Sequence, residues 1–253
     1  MTESESFKVK ALGKSGNGQS AWQRYRQLMY GNASLGYCLK AELLTLFVGH
    51  LPGVVGLALR KLLYPSLFSQ CGRGVVFGQG CTFRHAHKIS LGDGVILDDR
   101  CVIDAKGEAN QGIRIGNQVY VGRNTIIYCK DGDIVIGDQV NISSNCQIFS
   151  AHHLQIDSNT VIAAFCYLLS GGDYNPDQPD IPFASQTGME TARPTRIGAN
   201  CWLAAGVIIP NGITLGDHVV TAAGAVVTDD IPANQLWGGI PARLIRTLAD
   251  ATK

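Results

Sequence analysis

The chain has 253 residues, 45% of them hydrophobic and only 16% charged, with 30 glycines and a net charge of +1. This composition excludes a charge-driven disordered polymer and a helical bundle, and it gives no global electrostatic case for nucleic acid. The charge is uneven: residues 1–64 carry eight Lys/Arg against three Asp/Glu, and residues 65–253 carry thirteen against seventeen. A basic leading segment on a mildly acidic remainder points to an anionic surface as its partner.

Residues 1–20 are Ser/Gly/Lys-rich without an apolar run, so a disordered tail is expected there and no secretory signal. Residues 21–70 read as a helical segment. Within it, 34–69 is strongly apolar but broken by Lys40, Glu42, His50, Pro52, Arg60 and Lys61. A membrane-spanning helix needs about 20 predominantly apolar residues. Two short helices separated at Leu51-Pro52-Gly53 fit better, lying in a membrane interface or packed on the rest of the assembly. The interfacial placement is the expectation, with His50 near it.

From 71 to 246 an aliphatic residue recurs every six positions, often followed by Gly, Ala or Asp, with a small residue four places after it. The leading positions run 91, 97, 103; 115, 121, 127; 136, 142, 148; 156, 162, 168; 197, 203, 209; 215, 221, 227. Three such steps make one triangular coil of eighteen residues. Leading residues stack inward on their equivalents at the ~4.8 Å spacing of paired strands, and Gly or Asp after them suits a tight left-handed corner. Each coil buries its apolar face only against its neighbours. The predicted fold is therefore all-β, a left-handed parallel β-helix of hexapeptide repeats carrying an N-terminal helical appendage, with a C-terminal tail at 247–253. Cys81, Cys101, Cys146, Cys166 and Cys201 occupy the small inward position and read as small hydrophobes. No CxxC pair occurs, so no metal is expected, and buried thiols suit a reducing cytoplasm.

The largest break in the period is the insertion 171–194, rich in Gly, Pro and Asp and hence a loop. Smaller extensions follow Ile103, Ile127 and Ile148, the last carrying Ser150-Ala151-His152-His153. Counting from Ile148 and Leu168 puts His152 one coil from Gly172, so His152 or His153 is a candidate base with Asp173 to orient it; the alternative is a solvated corner. His85 and His87 read as a turn near the opening coil, away from the loop within one protomer, and His218 as a surface turn residue.

Three C-terminal stretches are specific: Ile197-Gly198-Ala199-Asn200-Cys201-Trp202-Leu203-Ala204-Ala205-Gly206, Ala222-Ala223-Gly224-Ala225-Val226-Val227-Thr228-Asp229-Asp230-Ile231-Pro232, and Gly238-Gly239-Ile240-Pro241-Ala242-Arg243. With Asp180-Ile181-Pro182-Phe183 and Gln186 in the loop, roughly residues 74–246 resemble the hexapeptide-repeat acyltransferases, in the group of maltose, galactoside and polysaccharide O-acetyltransferases. A closer bacterial subgroup resembles Leu59–Pro65 and Arg84-His85-Ala86-His87-Lys88-Ile89. The resemblance implies transfer of an acyl group, acetyl by default, from a CoA thioester to a hydroxyl of a sugar or glycan precursor. It also implies a homotrimer with sites shared between protomers. A His takes the hydroxyl proton in such enzymes, and a backbone N–H holds the oxyanion. The family's His position is Tyr174 in this sequence, which leaves His152, His153, or His85 and His87 of a neighbouring protomer to supply the base.

The same resemblance places CoA near the C-terminal coils, against Trp202, Ala204, Ala205, Ala222, Ala223 and Thr228, with Arg243 facing a phosphate. Asp229 stands where the family has Lys. The expected location is cytoplasmic, peripheral on the inner face of the cell membrane. A non-catalytic β-helix scaffold is the alternative that Tyr174 raises. A γ-class carbonic anhydrase shares the fold, but the six His do not offer its zinc set.

Overall fold

The computed structural model describes residues 20–172, 174–175, 177–183, 185–186 and 193–248. The tail expected at 1–20 lies outside them but for Ser20, as does most of that at 247–253.

Three parallel sheets wrap one core. The first face runs from Gln70–Cys71 to Thr214–Leu215, and the third from Thr82–Arg84 to Ile208–Ile209. The second runs from Val76–Phe77 to Val220–Thr221 and ends in an antiparallel hairpin, Gln235–Gly239 with Ala242–Thr247. The first strand of that hairpin continues the second face, pairing parallel with Val220–Thr221. All eighteen leading positions named from the sequence are buried, Thr221 being the polar one. This is the parallel β-helix that the six-residue period dictates.

The coil is not uniformly eighteen residues. On the second face Val76, Ile96, Tyr120, Asn141, Val161, Trp202, Val220 and Leu236 pair in turn, so successive coils advance 20, 24, 21, 20, 41, 18 and 16 residues. The surplus sits at one corner, between the third and first faces, and leaves the ladders in register. The left-handed residue is also not the one after the leading aliphatic. It comes three places after, at Gln118, Asn124, Gln139, Asn145, Asn159 and Asn200. Gly116, directly after Ile115, answers close stacking instead: a Cβ there would stand 2.7 Å from the Gly137 carbonyl carbon.

The buried thiols do more than fill space. Cys101, Cys146 and Cys166 donate through Sγ to the carbonyls of Gly122, Ala163 and Ala204, each at 3.2 Å. Thr125, in the same column, donates through Oγ1 to Ser143 O at 2.8 Å. Cys and Thr are thus alternatives for one role, a small side chain with a donor that stitches a corner to the next coil. All eight cysteines are free, and burial lifts the Cys201 thiol to about 11.

The appendage contains the two expected helices, α2 (Leu35–Phe47) and α3 (Gly53–Leu63), preceded by α1 (Ala21–Tyr30). Ser20 and Ser34 cap the first two through side-chain bonds to Gln23 N and Tyr37 N. The segment plugs the open first coil. Tyr64 and Phe68 pack on Phe77 and Phe83 with ring centroids 5.0–5.8 Å apart. Arg60, only 3% exposed, donates to Phe77 O, Val48 O and Leu51 O. His50 is exposed, and its carbonyl accepts from Gln79 Nε2. Packing on the β-helix therefore accounts for the inner face. The outer face remains apolar: Leu35, Leu39, Leu43, Leu46, Phe47, Val54, Val55 and Leu62 are 45–81% exposed. No helix among the described residues is long and apolar enough to cross a membrane.

Candidate active site

The elongated corner gathers the chemistry. Its loop springs from Gly171–Gly172, and its base is pinned by two buried hydroxyls. Ser170 Oγ donates to His153 O at 2.6 Å, and Thr195 Oγ1 donates to Leu169 O at 2.6 Å. Ser150 pairs with Ser170 in register, which puts His152 beside Gly172, as the coil count predicts. Gly171, at φ +82°, lets the chains approach: a Cβ there would lie 3.2 Å from His152 Cβ.

Within the loop, Gln186 is nearly buried. Its Oε1 accepts from Asn175 N at 2.8 Å and its Nε2 donates to Asn175 O at 2.9 Å. Tyr174 is half-exposed and packs edge-on against Phe183. Asp173 lies outside the described residues, so its expected pairing with His152 or His153 lies outside them too. His152 is exposed and His153 half-buried. Neither imidazole has a hydrogen-bond partner among the described residues, so each is available to a ligand.

His85 and His87 stand on the same corner of the β-helix as the loop, but four strand steps before it along the third face. His85 adopts the left-handed conformation, φ +52°, and its N–H donates to Met29 O of α1. Its ring is 3% exposed, with Nδ1 3.3 Å from Asp104 Oδ1. Arg84 Nη1 lies 3.7 Å from Asp104 Oδ2, and Lys106 N donates to Asp104 Oδ1. Gly31 closes over the ring; a Cβ on it would stand 3.0 Å from His85 Cδ2. His87 is set edge-on to Tyr37, and its buried Nδ1 has no partner among the described residues. Burial, then the neighbouring His85 and Lys88, hold the His87 pKa below the usual imidazole value.

These histidines wall a cavity of about 200 Å³ between α1 and the first three turns of the corner, with Arg24, Lys106 and Lys130 around it. Sequence reasoning missed both the cavity and Asp104. The signal was present in the coil step, since Arg84 pairs with Asp104.

At the C-terminal end, Trp202 is 54% exposed on the second face. Ala204–Ala205 and Ala222–Ala223 form successive turns of the neighbouring corner, joined by Ala204 N to Thr221 O and Gly224 N to Ala205 O. The result is a shallow, backbone-rich strip beside an indole. Thr228 is exposed, and Arg243 pairs with Asp229 at 3.1 Å, both ends well solvated. Such exposed pairs hold by about 1 kcal/mol or less, so a stronger anion displaces them. No group of three His, Cys, Asp or Glu placed to hold a metal occurs among the described residues.

Comparison with known proteins gives a consistent set. The bacterial transferase hexapeptide (six repeats) family model matches residues 194–229. WcaF of Escherichia coli K12, which carries the name of a colanic acid biosynthesis acetyltransferase, is 30% identical over 135 residues, 53% of this chain and 69% of that protein. Galactoside O-acetyltransferase of the same organism is 29% identical over 54% of this chain and 58% of its own length. Nodulation protein L of Rhizobium meliloti is 37% identical over 46% of this chain and 62% of its own. The chain thus spans under two thirds of the latter two relatives. Among solved structures, the N-acyltransferase AntD of Bacillus cereus, in complex with dTDP and 3-hydroxybutyryl-CoA, superposes with a TM-score of 0.52. It is 19% identical, over 75% of this chain and 88% of that one, a likeness of fold.

Proposed function

This chain belongs to the bacterial transferase hexapeptide family, and from that premise we propose that it is an acyl-CoA-dependent O-acyltransferase. Acetyl-CoA is the donor, and a sugar or glycan precursor of a cell-surface polysaccharide is the acceptor. One observation carries the reading. The long inserted loop leaves the β-helix at the turn where His152 abuts Gly171–Gly172. The names of WcaF and the galactoside enzyme, and the acyl-CoA bound by AntD, support the reaction class.

In this reading His152 accepts the proton of an acceptor hydroxyl as its oxygen attacks the thioester carbonyl. The carbon–sulfur bond breaks, the ester forms, and the proton passes to the departing CoA sulfur. His153 is the alternative base, Asp173 is the residue assigned to orient the base, and Tyr174 stands where relatives carry His. Trp202 and the alanine turns 204–205 and 222–223 seat the pantetheine, with Thr228 and Arg243 toward its phosphates. The flat faces suit a homotrimer with sites between protomers. The apolar outer face of α2 and α3, with Lys40 and Lys61 at hand, suits peripheral attachment to an anionic membrane.

The test is acetyl-CoA cleavage with a sugar acceptor. His152→Ala should lower kcat by about 100-fold while CoA affinity holds, because general-base catalysis supplies roughly that factor. Tyr174→Phe should do less, because a phenol is a poorer general base than an imidazole at neutral pH. Full activity in both His152→Ala and His153→Ala sinks the assignment. Absence of acetyl-CoA binding favours the scaffold reading that Tyr174 raises.

A further inference from the structure

The cavity beneath α1 has no part in the chemistry above, yet it is built like a binding site. It is roomier than a single water needs, and its walls come from α1 and three consecutive turns of one corner. Four cations line it, Arg24, Lys88, Lys106 and Lys130, against two carboxylates, Glu108 and Asp131. Lys88 is spent on structure, since its Nζ donates to Gly107 O and Asn110 Oδ1. Arg24 and Lys130, both exposed lining residues, have no ion-pair partner among the described residues.

His87 contributes a buried ring nitrogen that is left unbonded, and buried polar atoms are normally satisfied by a partner. Its pKa is held down first by burial and then by His85 and Lys88, so the ring stays neutral near pH 7 amid a positive field. That field favours an anion. The carboxylates offset only part of it, two against four cations; Asp131 Oδ1 accepts from Glu108 N at 2.7 Å, and Glu108 is exposed at the rim.

The position matters as much as the charge. Lys130 N donates to Ser150 O, and Asp133 N donates to His152 O, so the far wall of the cavity and His152 occupy adjacent coils. Adjacent coils are about 4.8 Å apart. A group held by Lys130 and a hydroxyl presented to His152 are therefore separated by about the breadth of one sugar ring. The strip around Trp202, expected to take CoA, lies on the second face and the next corner, away from this cavity.

We propose that this cavity is the acceptor's anchoring site, and that it takes the phosphate of a phosphorylated sugar, a sugar 1-phosphate or a sugar pyrophosphate, through Arg24 and Lys130. The inference rests on the reading of the His152 corner as the site of transfer. Arg24 arrives from α1, so the appendage completes the site as well as closing the first coil. His85, paired with Asp104 and capped by Gly31, forms part of this wall.

Calorimetric titration of the full chain with inorganic pyrophosphate, glucose 1-phosphate and glucose tests it, each with and without saturating CoA. Both phosphate probes should bind and neutral glucose should not. Arg24→Ala and Lys130→Ala should each weaken the phosphate probes by about tenfold or more, as expected for one charge-assisted bond. Lys61→Ala, on the outer face of α3, should not. UDP-glucose and vesicles carrying a polyprenyl phosphate, run as separate arms, tell a nucleotide-linked precursor from a lipid-linked one.

No heat from any phosphate probe at millimolar concentration overturns the proposal. So does unchanged affinity in the Arg24→Ala, Lys130→Ala double variant. Loss of pyrophosphate binding on adding CoA also overturns it, by giving the cavity to the donor. His152→Ala separates the two readings. If it and His153→Ala both bind pyrophosphate normally and keep full turnover, the catalytic assignment fails alone. If turnover falls in that variant while no phosphate probe binds the parent, the anchoring proposal fails alone.

Discussion

Nδ1 of His85 meets Oδ1 of Asp104 at 3.3 Å across a single coil step, in a spot where the imidazole is 3% exposed. Arg84 and the Lys106 N–H converge on the same carboxylate. Asp104→Asn removes the charge that serves all three. It should cost about 1–3 kcal/mol, the range for leaving buried donors poorly matched. Arg73→Ala, which breaks a pair whose arginine is 95% exposed, should cost about 1 kcal/mol or less. Urea unfolding of both variants checks this, and equal small losses would remove Asp104 from its structural role.

The second prediction concerns pH. His87 is held below the usual imidazole value by burial and by its cationic neighbours. The unfolded chain, with an ordinary pKa of about 6.5, then binds more protons than the folded one just below that pH. Stability from this residue is complete above about pH 6.5 and is lost as pH falls through that value toward the lower folded one. Wild type should therefore lose more stability between pH 7 and pH 5 than His87→Gln does. The window is separable from Asp98. Burial pushes that carboxyl up, but bonds from Asp99 N, Tyr120 and Arg123 outweigh it, so its contribution fades only below the ordinary carboxylate pKa of about 4. Parallel loss in the two proteins would mean that His87 titrates as an exposed imidazole does.

The thiol column makes a third prediction. Cys146→Thr keeps a small side chain with a donor, as Thr125 does one coil away, and should change stability by under about 1 kcal/mol. Cys146→Leu adds bulk to a filled corner and should cost about 1–3 kcal/mol. Thermal melts rank the two, and the reverse order would refute the stitching role.

The fourth concerns the outer face of α2 and α3. Leu39→Glu with Leu46→Glu should abolish co-sedimentation with anionic vesicles and leave the melting temperature nearly unchanged, because both residues are over 60% exposed. Soluble behaviour of the parent in the presence of such vesicles would end the membrane reading.

The sequence made the β-helix legible because its period is carried by residues that must all be buried at once. Ile115, Val121 and Ile127 each lie where a six-residue step places them. The length of a coil was less legible, since Lys130 and Asp131, at the corner between Ile127 and Ile136, are exposed and carry no packing signal. The neighbourhood of His152 and Gly172 followed from counting, because both hang on rigid strands. Asp104 stayed hidden because its partner is 19 residues away, an offset fixed only by the corner lengths. The orientation of α1 was hidden as well. Its capping box reads locally, but the tether from His85 N to Met29 O is a contact between distant elements.

The uneven coil has a consequence for how such a protein can change. Coils of 20, 24, 21, 20, 41, 18 and 16 residues share one ladder because every surplus residue is shed at the same edge. Insertions and deletions there are mechanically silent to the scaffold, so the contents of this corner can be rewritten segment by segment while the stacked interior and the strip around Trp202 stay as they are. Exchanging the 171–194 segment for one of another length is therefore a graft that the β-helix should accept without a new core.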